Sequence, residues 1–511
     1  LRAPNMLYGV LALGAVVLLA FEMGGATAAW FAGLASASFL LSLQVASWLA
    51  TDAALMAGVM LALLGFYSGL NASESRAKLL WYLLMHGGLT LAFMAKGPAG
   101  WLVPVSGAAG LIVFERQWRE LRRWELWIGT AIPVCIIGAW LVAVARSTNG
   151  THALQVLLWS NVAGRVVTLP GADAASYATG HHNWPGKYLV ELPLYLAPWT
   201  FLFVAALRRA WRVARSPGAG SWRYALFAFA LPLLALSVAT TARGIYAAPV
   251  LPAAALLIGL WAAERVSDPD SFDRRMMKAT VWLVALLAIV LFVASGFIAS
   301  ADAAARSFAP VAVVGALASL VALGFALRSL RRQAWPRAIA ATFCAFVLAF
   351  FATAVTVFPA MDGWQDLGAL VRRIDHDSGD RPLTVYAADE TIVAALDRAL
   401  AGRRIARPAD IPSARVLFQA QSPPVLLVKL NGVGDGSVLR RLKSLGVKLR
   451  PPPEAPVVQD LVIQLGLVVE RVYELPQGRR YALLSSAPRA AAGALSNVPA
   501  RLAPSIDPAA R

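Results

Sequence analysis

The sequence predicts an all-α polytopic membrane bundle followed by a small α/β domain, and three observations carry that prediction. Apolar runs long enough to cross a ~30 Å hydrocarbon core recur from Met6 to Val357. The loops between them carry positive charge very unequally on alternate sides. After Phe358-Pro359 the hydrocarbon-like composition gives way to short β-prone runs alternating with amphipathic stretches. With 59% hydrophobic and only 14% charged residues, the 511-residue chain is too apolar for a soluble globule. Continuous apolar runs also lack the alternation that a barrel wall requires.

Taken in order, the apolar runs place helices near 6–24, 27–49, 53–70, 79–95, 97–115, 125–145, 190–208, 222–241, 244–263, 279–299, 309–327 and 338–357, about twelve crossings. One set of alternate loops holds nineteen basic residues, among them Arg116, Arg119, Arg208, Arg274 and Arg331, against six in the other set. That asymmetry assigns the first set to the cytoplasm. Asp52, Lys96, the 146–189 loop, Arg243 and everything beyond Val357 then fall outside it. The net charge of +18 is accounted for by these loops, so nucleic acid is not among the expected partners. Cys135 and Cys344 both lie inside apolar runs, which excludes a disulfide framework or cysteine metal site as the organising device. The chain opens on Leu1 with an outside N-terminus, from which one further helix and a loop are expected upstream.

Beyond the last crossing, Leu383–Tyr386, Val425–Val428 and Arg471–Tyr473 are β-prone, with helix-like stretches at Gly363–Ile374 and Glu390–Leu400 between them. The expected division is a transmembrane domain over 1–358, a soluble α/β domain over 359–485 and a flexible Ala/Pro/Arg-rich tail over 486–511. The soluble stretch has no glycine-rich phosphate loop and no metal-spaced cluster.

Charged residues at the edge of hydrocarbon are costly and concentrate at functional sites. Asp52 follows Thr51 at the start of an apolar helix, where it reads either as a helix cap or as a base, metal ligand or orienter of a cation. Lys96 closes another run, and Gly97-Pro98 forces a turn beside it. It reads as a snorkelling lysine or as a compact charge for a phosphate, with Gly97 admitting the ligand to the backbone. The 146–189 loop gathers Asn161, Arg165, His181, His182, Trp184 and Tyr188, and mixed aromatics, amides and cations suit sugars and phosphates. His181 and His182 are the candidate ligands for a divalent metal, the one cofactor the sequence raises. Arg243 and Tyr246 form a further candidate phosphate contact at the head of a proline-containing helix, with lipid-headgroup anchoring as the other reading of Arg243. Glu22, followed by Gly24-Gly25, is a helix-end carboxylate with no assigned role.

These marks together resemble the GT-C glycosyltransferases, in the branch that holds protein O-mannosyltransferases and the bacterial lipid A aminoarabinose transferase. The resemblance rests on Thr51-Asp52, Ala95-Lys96-Gly97, Asn161-Val162-Ala163-Gly164-Arg165, His182-Asn183-Trp184 with Tyr188, Leu196-Ala197-Pro198-Trp199, and Arg243-Gly244-Ile245-Tyr246 followed by Pro249 and Pro252. It covers most of residues 30–265. It implies a bundle of about thirteen helices in the intact protein, an active site on the periplasmic face, a polyprenyl-phosphate sugar donor and a C-terminal soluble domain. It also implies a catalytic carboxylate in a first outer loop that this sequence lacks, expected upstream of Leu1. On this reading the chain is a multi-pass bacterial inner-membrane enzyme that moves a sugar, 4-amino-4-deoxy-L-arabinose, from undecaprenyl phosphate to lipid A or another envelope acceptor. Asp52 and Lys96 are then the catalytic pair, and Lys96, Arg165, Arg243 and Tyr246 the phosphate contacts.

Two alternatives stand beside it. A protein O-mannosyltransferase-like reaction would need a general base for a hydroxyl acceptor, whereas a lipid phosphate is already ionised. A polyprenyl-lipid flippase or transporter would also line a cavity with cations, but internal repeats and mid-depth polar residues, common in transporters, are absent from the sequence. A structural scaffold would leave Lys96 and the long polar loop without purpose.

Overall fold

Each long apolar stretch buries its backbone hydrogen bonds in a helix, as hydrocarbon demands. The computed structural model describes residues 3–47, 51–147, 150–155, 158, 184, 186–239, 243–364, 366–386, 388–403, 405–408, 411–418, 424–430, 464–475 and 479–486. Among them nine helices are long and apolar enough to cross a membrane, or ten if one bent pair is a single span. The 36-residue run Ala3–Ser38 (α1) is interrupted at Gly25, whose φ is +75°, so it is two helical segments at the boundary the sequence sets near 25.

The chain divides into two compact units. The first comprises Leu1–Val290 and Ala316–Phe350. Within it α1 is followed by Leu40–Ser47 (α2), Asp52–Asn71 (α3), Ser75–Lys96 (α4), Leu102–Phe114 (α5), Trp124–Ile128 (α6), Ala131–Ala145 (α7) and Gly150–Leu154 (α8). Lys187–Tyr195 (α9), Thr200–Val213 (α10), Gly220–Val238 (α11) and Leu251–Arg265 (α12) come next. Then Ser271–Ala301 (α13), Ala303–Ser307 (α14), Ala309–Arg331 (α15) and Trp335–Trp364 (α16) run on, partly into the second unit. The centre is formed by α3 and the Gly244–Arg265 segment, 83% and 89% buried. α1 packs against both.

Small residues set the closest approach in this core. A Cβ on Gly88 of α4 would lie 2.5 Å from the Ala62 amide nitrogen of α3, and one on Gly58 would lie 2.6 Å from that of Ala92. Glycines at these facing positions let two backbones touch, which is how helices gain packing energy where lipid offers no hydrophobic drive. At the far end of α3, buried Lys78 donates to the carbonyls of Gly69 and Leu70 (2.7 and 3.2 Å) and to Glu120 (2.9 Å). The cation thus satisfies last-turn carbonyls at the negative end of the helix. The Tyr82 hydroxyl donates to the same Glu120 at 2.6 Å, and Ser68 donates to Glu22 at 2.6 Å, near the helix end expected for Glu22.

Three sequence expectations are corrected here, the first being the helix over 27–49, which is interrupted at Phe39. Second, the continuous helix over 190–208 is instead α9 and α10, bent by 118° across Leu196–Trp199. The bend exchanges bonds with the interruption at Phe39: the Leu40 amide donates to the Ala197 carbonyl at 3.0 Å, and the Trp199 indole donates to Ser38 at 2.7 Å. Third, α16 does not stop at Phe358-Pro359 but runs through Pro359 to Trp364. Proline removes one helical donor and crowds the carbonyl four residues earlier, a cost this 30-residue helix bears without ending there.

The second unit comprises Leu291–Gly315 and Phe351–Arg511. After Leu367–Ser378 (α17) come Leu383–Tyr386 (β1), Glu390–Ala399 (α18), Ile405–Ala406 (β2), Ile411–Phe418 (α19), Val425–Leu430 (β3), Leu467–Glu474 (β4) and Arg480–Ser486 (β5). The sheet order is β2-β1-β3-β5-β4, with β1 parallel to β2 and β3, and β5 antiparallel to β3 and β4. α17 and α18 cover one face through Leu370, Ile374, Ile392 and Leu396, while Ile411 and Phe418 pack on the other. Val425–Val428 of β3 are apolar on both faces because both faces are covered.

Candidate active site

Asp52 is the first residue of α3 and Lys96 the last of α4, and the glycine-lined contact between these antiparallel helices brings the two ends together. Their side chains form a direct ion pair. Each also sits at the helix end whose dipole favours its charge, the carboxylate at an N-terminus and the ammonium at a C-terminus. The capping reading of Asp52 is corrected: Thr51 holds the cap position with no side-chain cap bond, and the Asp52 carboxylate is engaged by Lys96 instead. The turn expected after Lys96 is present. Gly97 has φ +65°, a conformation strained for any residue with a Cβ, and Gly97–Trp101 continues as a 3-10 turn.

A third element closes on the pair. The Lys96 ammonium lies 4.9 Å from the centroid of the Tyr246 ring, within cation–π range. Tyr246 belongs to the 3-10 segment Gly244–Val250, which exposed Arg243 precedes. Fully buried Tyr188, in the first turn of α9, donates to the Arg243 carbonyl at 3.2 Å and so fixes the backbone on which Arg243 sits. Asp52 is enclosed, its side chain 5% exposed, while Lys96 keeps 24%, so the pair opens toward a ligand through the cation. An ammonium has three donors and the carboxylate engages one face of it, which leaves capacity for phosphate oxygens. Among the described residues no group of three His, Cys, Asp or Glu could hold a metal ion.

Asp52, Lys96, Tyr246, Arg243 and Tyr188 therefore share one end of the bundle. Trp184 is described and exposed, and its carbonyl accepts from the Lys187 amide at 3.1 Å. Asn161, Arg165, His181 and His182 lie outside the described residues. The structure adds a pair with no mark in the sequence. Tyr195 donates to Glu191 one helical turn earlier in α9, and its hydroxyl lies against Gly244, next to Arg243. An i,i+4 spacing of Glu and Tyr is common on any helix, so only the fold distinguishes this one.

No protein-family model matches the chain. The undecaprenyl phosphate-α-4-amino-4-deoxy-L-arabinose arabinosyl transferase of Pseudomonas paraeruginosa is 29% identical over 238 residues, and that of Pseudomonas aeruginosa 30% over the same length. Each alignment covers 45% of this chain and 40% of the relative. The enzyme of the same name from Enterobacter sp. is 26% identical over 278 residues, 52% of this chain and 45% of the relative. The chain thus matches less than half the length of these curated relatives. The solved structure of ArnT from Cupriavidus metallidurans bound to undecaprenyl phosphate superposes with a TM-score of 0.62 at 17% identity, over 94% of this chain and 83% of that one. Its apo form gives 0.60 at 18% identity. By sequence the chain is similar to the aminoarabinose arabinosyl transferases over about half its length, and nearly all of it shares the fold of the solved ArnT structures.

Proposed function

We propose that this protein is a membrane glycosyltransferase that moves 4-amino-4-deoxy-L-arabinose from undecaprenyl phosphate to a phosphate of lipid A. The observation that carries the proposal is the convergence of Asp52, Lys96, Tyr246 and Arg243 at one end of the bundle, in a chain similar to enzymes of that name. The apolar runs support twelve crossings in this chain, and the loop-charge asymmetry supports that end as periplasmic and the opposite end as cytoplasmic in a bacterial inner membrane. The soluble domain, taken as 359–485, then lies in the periplasm, with 486–511 as its tail. Arg165 joins the phosphate contacts, and Asn161, His181, His182, Trp184 and Tyr188 form the sugar and acceptor loop on the strength of their residue types. His181 and His182 are the site for a divalent metal, should the enzyme use one.

In the reaction an acceptor phosphate oxygen attacks the anomeric carbon, the bond from that carbon to the donor phosphate breaks, and its electron pair stays on the departing undecaprenyl phosphate. The donor phosphodiester carries one negative charge, and the product phosphate gains a second. Lys96 stands where that charge accumulates and stabilises it, as a preorganised cation does. Asp52 holds the Lys96 ammonium in place before the ligand arrives. The acceptor phosphate is ionised already, so no general base is required and the work is orientation and charge stabilisation.

The test is an assay of the full chain in bilayers with undecaprenyl-phosphate-linked aminoarabinose and lipid A. Lys96→Ala is expected to lower turnover by about 10²–10³-fold, the loss typical of removing one transition-state donor. Equal product from both proteins removes Lys96 from the mechanism. Passage of the sugar lipid across the bilayer with no glycosylated product replaces the transferase by a flippase.

A further inference from the structure

A groove of about 780 Å³ lies in the first unit, away from the Asp52–Lys96 site, between the Thr27–Leu34 stretch of α1 and the first half of α16. Its walls are apolar: Trp30, Phe31 and Leu34 on one side, Phe343, Val347 and Leu348 on the other. Thr27, Val266, Ser267 and Pro336 are its remaining rim. The floor is rigid, because the Phe343 ring lies 3.7 Å from that of Trp199 and 6.0 Å from that of Phe31, centroid to centroid. From Pro336 to Leu348 the groove follows about 18 Å of helix at 1.5 Å per residue. That is about the depth of one leaflet of a ~30 Å hydrocarbon core.

The charge at the Pro336 end is one-sided. Arg265, beside the rim residue Val266, is offset by Asp270 and Asp273 at 3.6 Å. Arg328, Arg331, Arg332 and Arg337 in the turn from α15 to α16 have no such neighbours in sequence, because no Asp or Glu occurs between Asp302 and Asp362. Arg337 is exposed and adjoins Pro336 at the mouth. An apolar slot one leaflet deep, opening beside arginines with no carboxylate near them in sequence, has the complementarity of one lipid with an acyl chain and an anionic head.

We infer that this groove is a binding site for an anionic glycerophospholipid, with one acyl chain along α16 and its headgroup at the arginine-rich turn that leads into Pro336 and Arg337. It is distinct from the donor site and belongs to the opposite end of the bundle. The test is native mass spectrometry of the full chain in mild detergent with equimolar phosphatidylglycerol and phosphatidylcholine carrying matched chains. The parent is expected to retain phosphatidylglycerol over phosphatidylcholine by about tenfold or more, since each arginine near an anionic surface contributes about fivefold. Ala340 is an exposed wall residue, so Ala340→Trp fills the slot without disturbing the core. It is expected to lower retention of both lipids by about tenfold, the order of losing a packed apolar contact. Arg332→Gln with Arg337→Gln should instead keep binding and bring the preference close to one. Equal retention of the two lipids by the parent, or undiminished retention by Ala340→Trp, overturns the inference. So does displacement of retained phosphatidylglycerol by excess undecaprenyl phosphate, which would make the groove the donor tail's.

Discussion

Asp52 and Lys96 neutralise one another when no ligand is bound, and this gives the two substitutions opposite signs. With Lys96→Ala the phosphate loses its cation. With Asp52→Asn the shape is kept but Lys96 loses its counterion, so the ammonium is freer to hold an anion. Asp52→Asn is expected to tighten binding of the product undecaprenyl phosphate by about tenfold, the order of one charge-assisted hydrogen bond, while turnover falls because release slows. The inhibition constant of undecaprenyl phosphate against each variant checks this. An Asp52→Asn enzyme that binds the product more weakly than its parent would show that holding the Lys96 ammonium in position outweighs neutralising it. These two residues were legible in the sequence because charges are conspicuous at the edge of apolar runs. Tyr195 and Glu191 were not, because their partner is Gly244, nearly fifty residues away in sequence.

At the scale of elements, the site depends on how closely α3 and α4 approach. A Cβ on Gly88 would lie 2.5 Å from backbone on α3, whereas one on Gly87 would meet nothing within 4 Å. Gly88→Ala should therefore destabilise by about 1–3 kcal/mol, the cost of overpacking. Gly87→Ala should stabilise by roughly 0.5–1 kcal/mol through the loss of backbone freedom in the unfolded chain. Thermal unfolding of the two variants in the same detergent decides the matter, and equal midpoints would mean that the helices do not touch there. Nothing in the sequence separates these adjacent glycines, since periodicity in an all-apolar helix does not mark the face that meets a neighbour. Helix positions were legible for the opposite reason: hydrocarbon forces nearly every long apolar run into a helix. The exceptions include 27–49, interrupted at Phe39, and 190–208, where the bend of α9 against α10 is held by bonds to that same distant interruption.

At the scale of whole units, the one carrying the sheet has its own dependence on pH. Asp377, at the end of α17, accepts hydrogen bonds from Arg471 at 2.6 and 2.7 Å and from Tyr473 at 2.8 Å. The guanidinium, helped by the phenol, holds its carboxyl down at about 2, against an ordinary value near 3.8. A depressed carboxylate stabilises the fold above its unfolded pKa, and that contribution is lost as pH falls through the folded value. The thermal midpoint of the full chain should therefore exceed that of Asp377→Asn at pH 6, and the gap should close between about pH 4 and pH 2. A gap that persists unchanged at pH 2 would assign the difference to shape rather than charge. In the bundle unit, the interruption at Phe39 and the bend at Leu196–Trp199 supply each other's missing partners through Leu40, Ala197, Ser38 and Trp199. Neither irregularity can be mended alone. A substitution that regularises one helix strands a polar group of the other in oil, so variants at the two places should be strongly epistatic, and in descendants of this sequence the two kinks should be inherited or lost together.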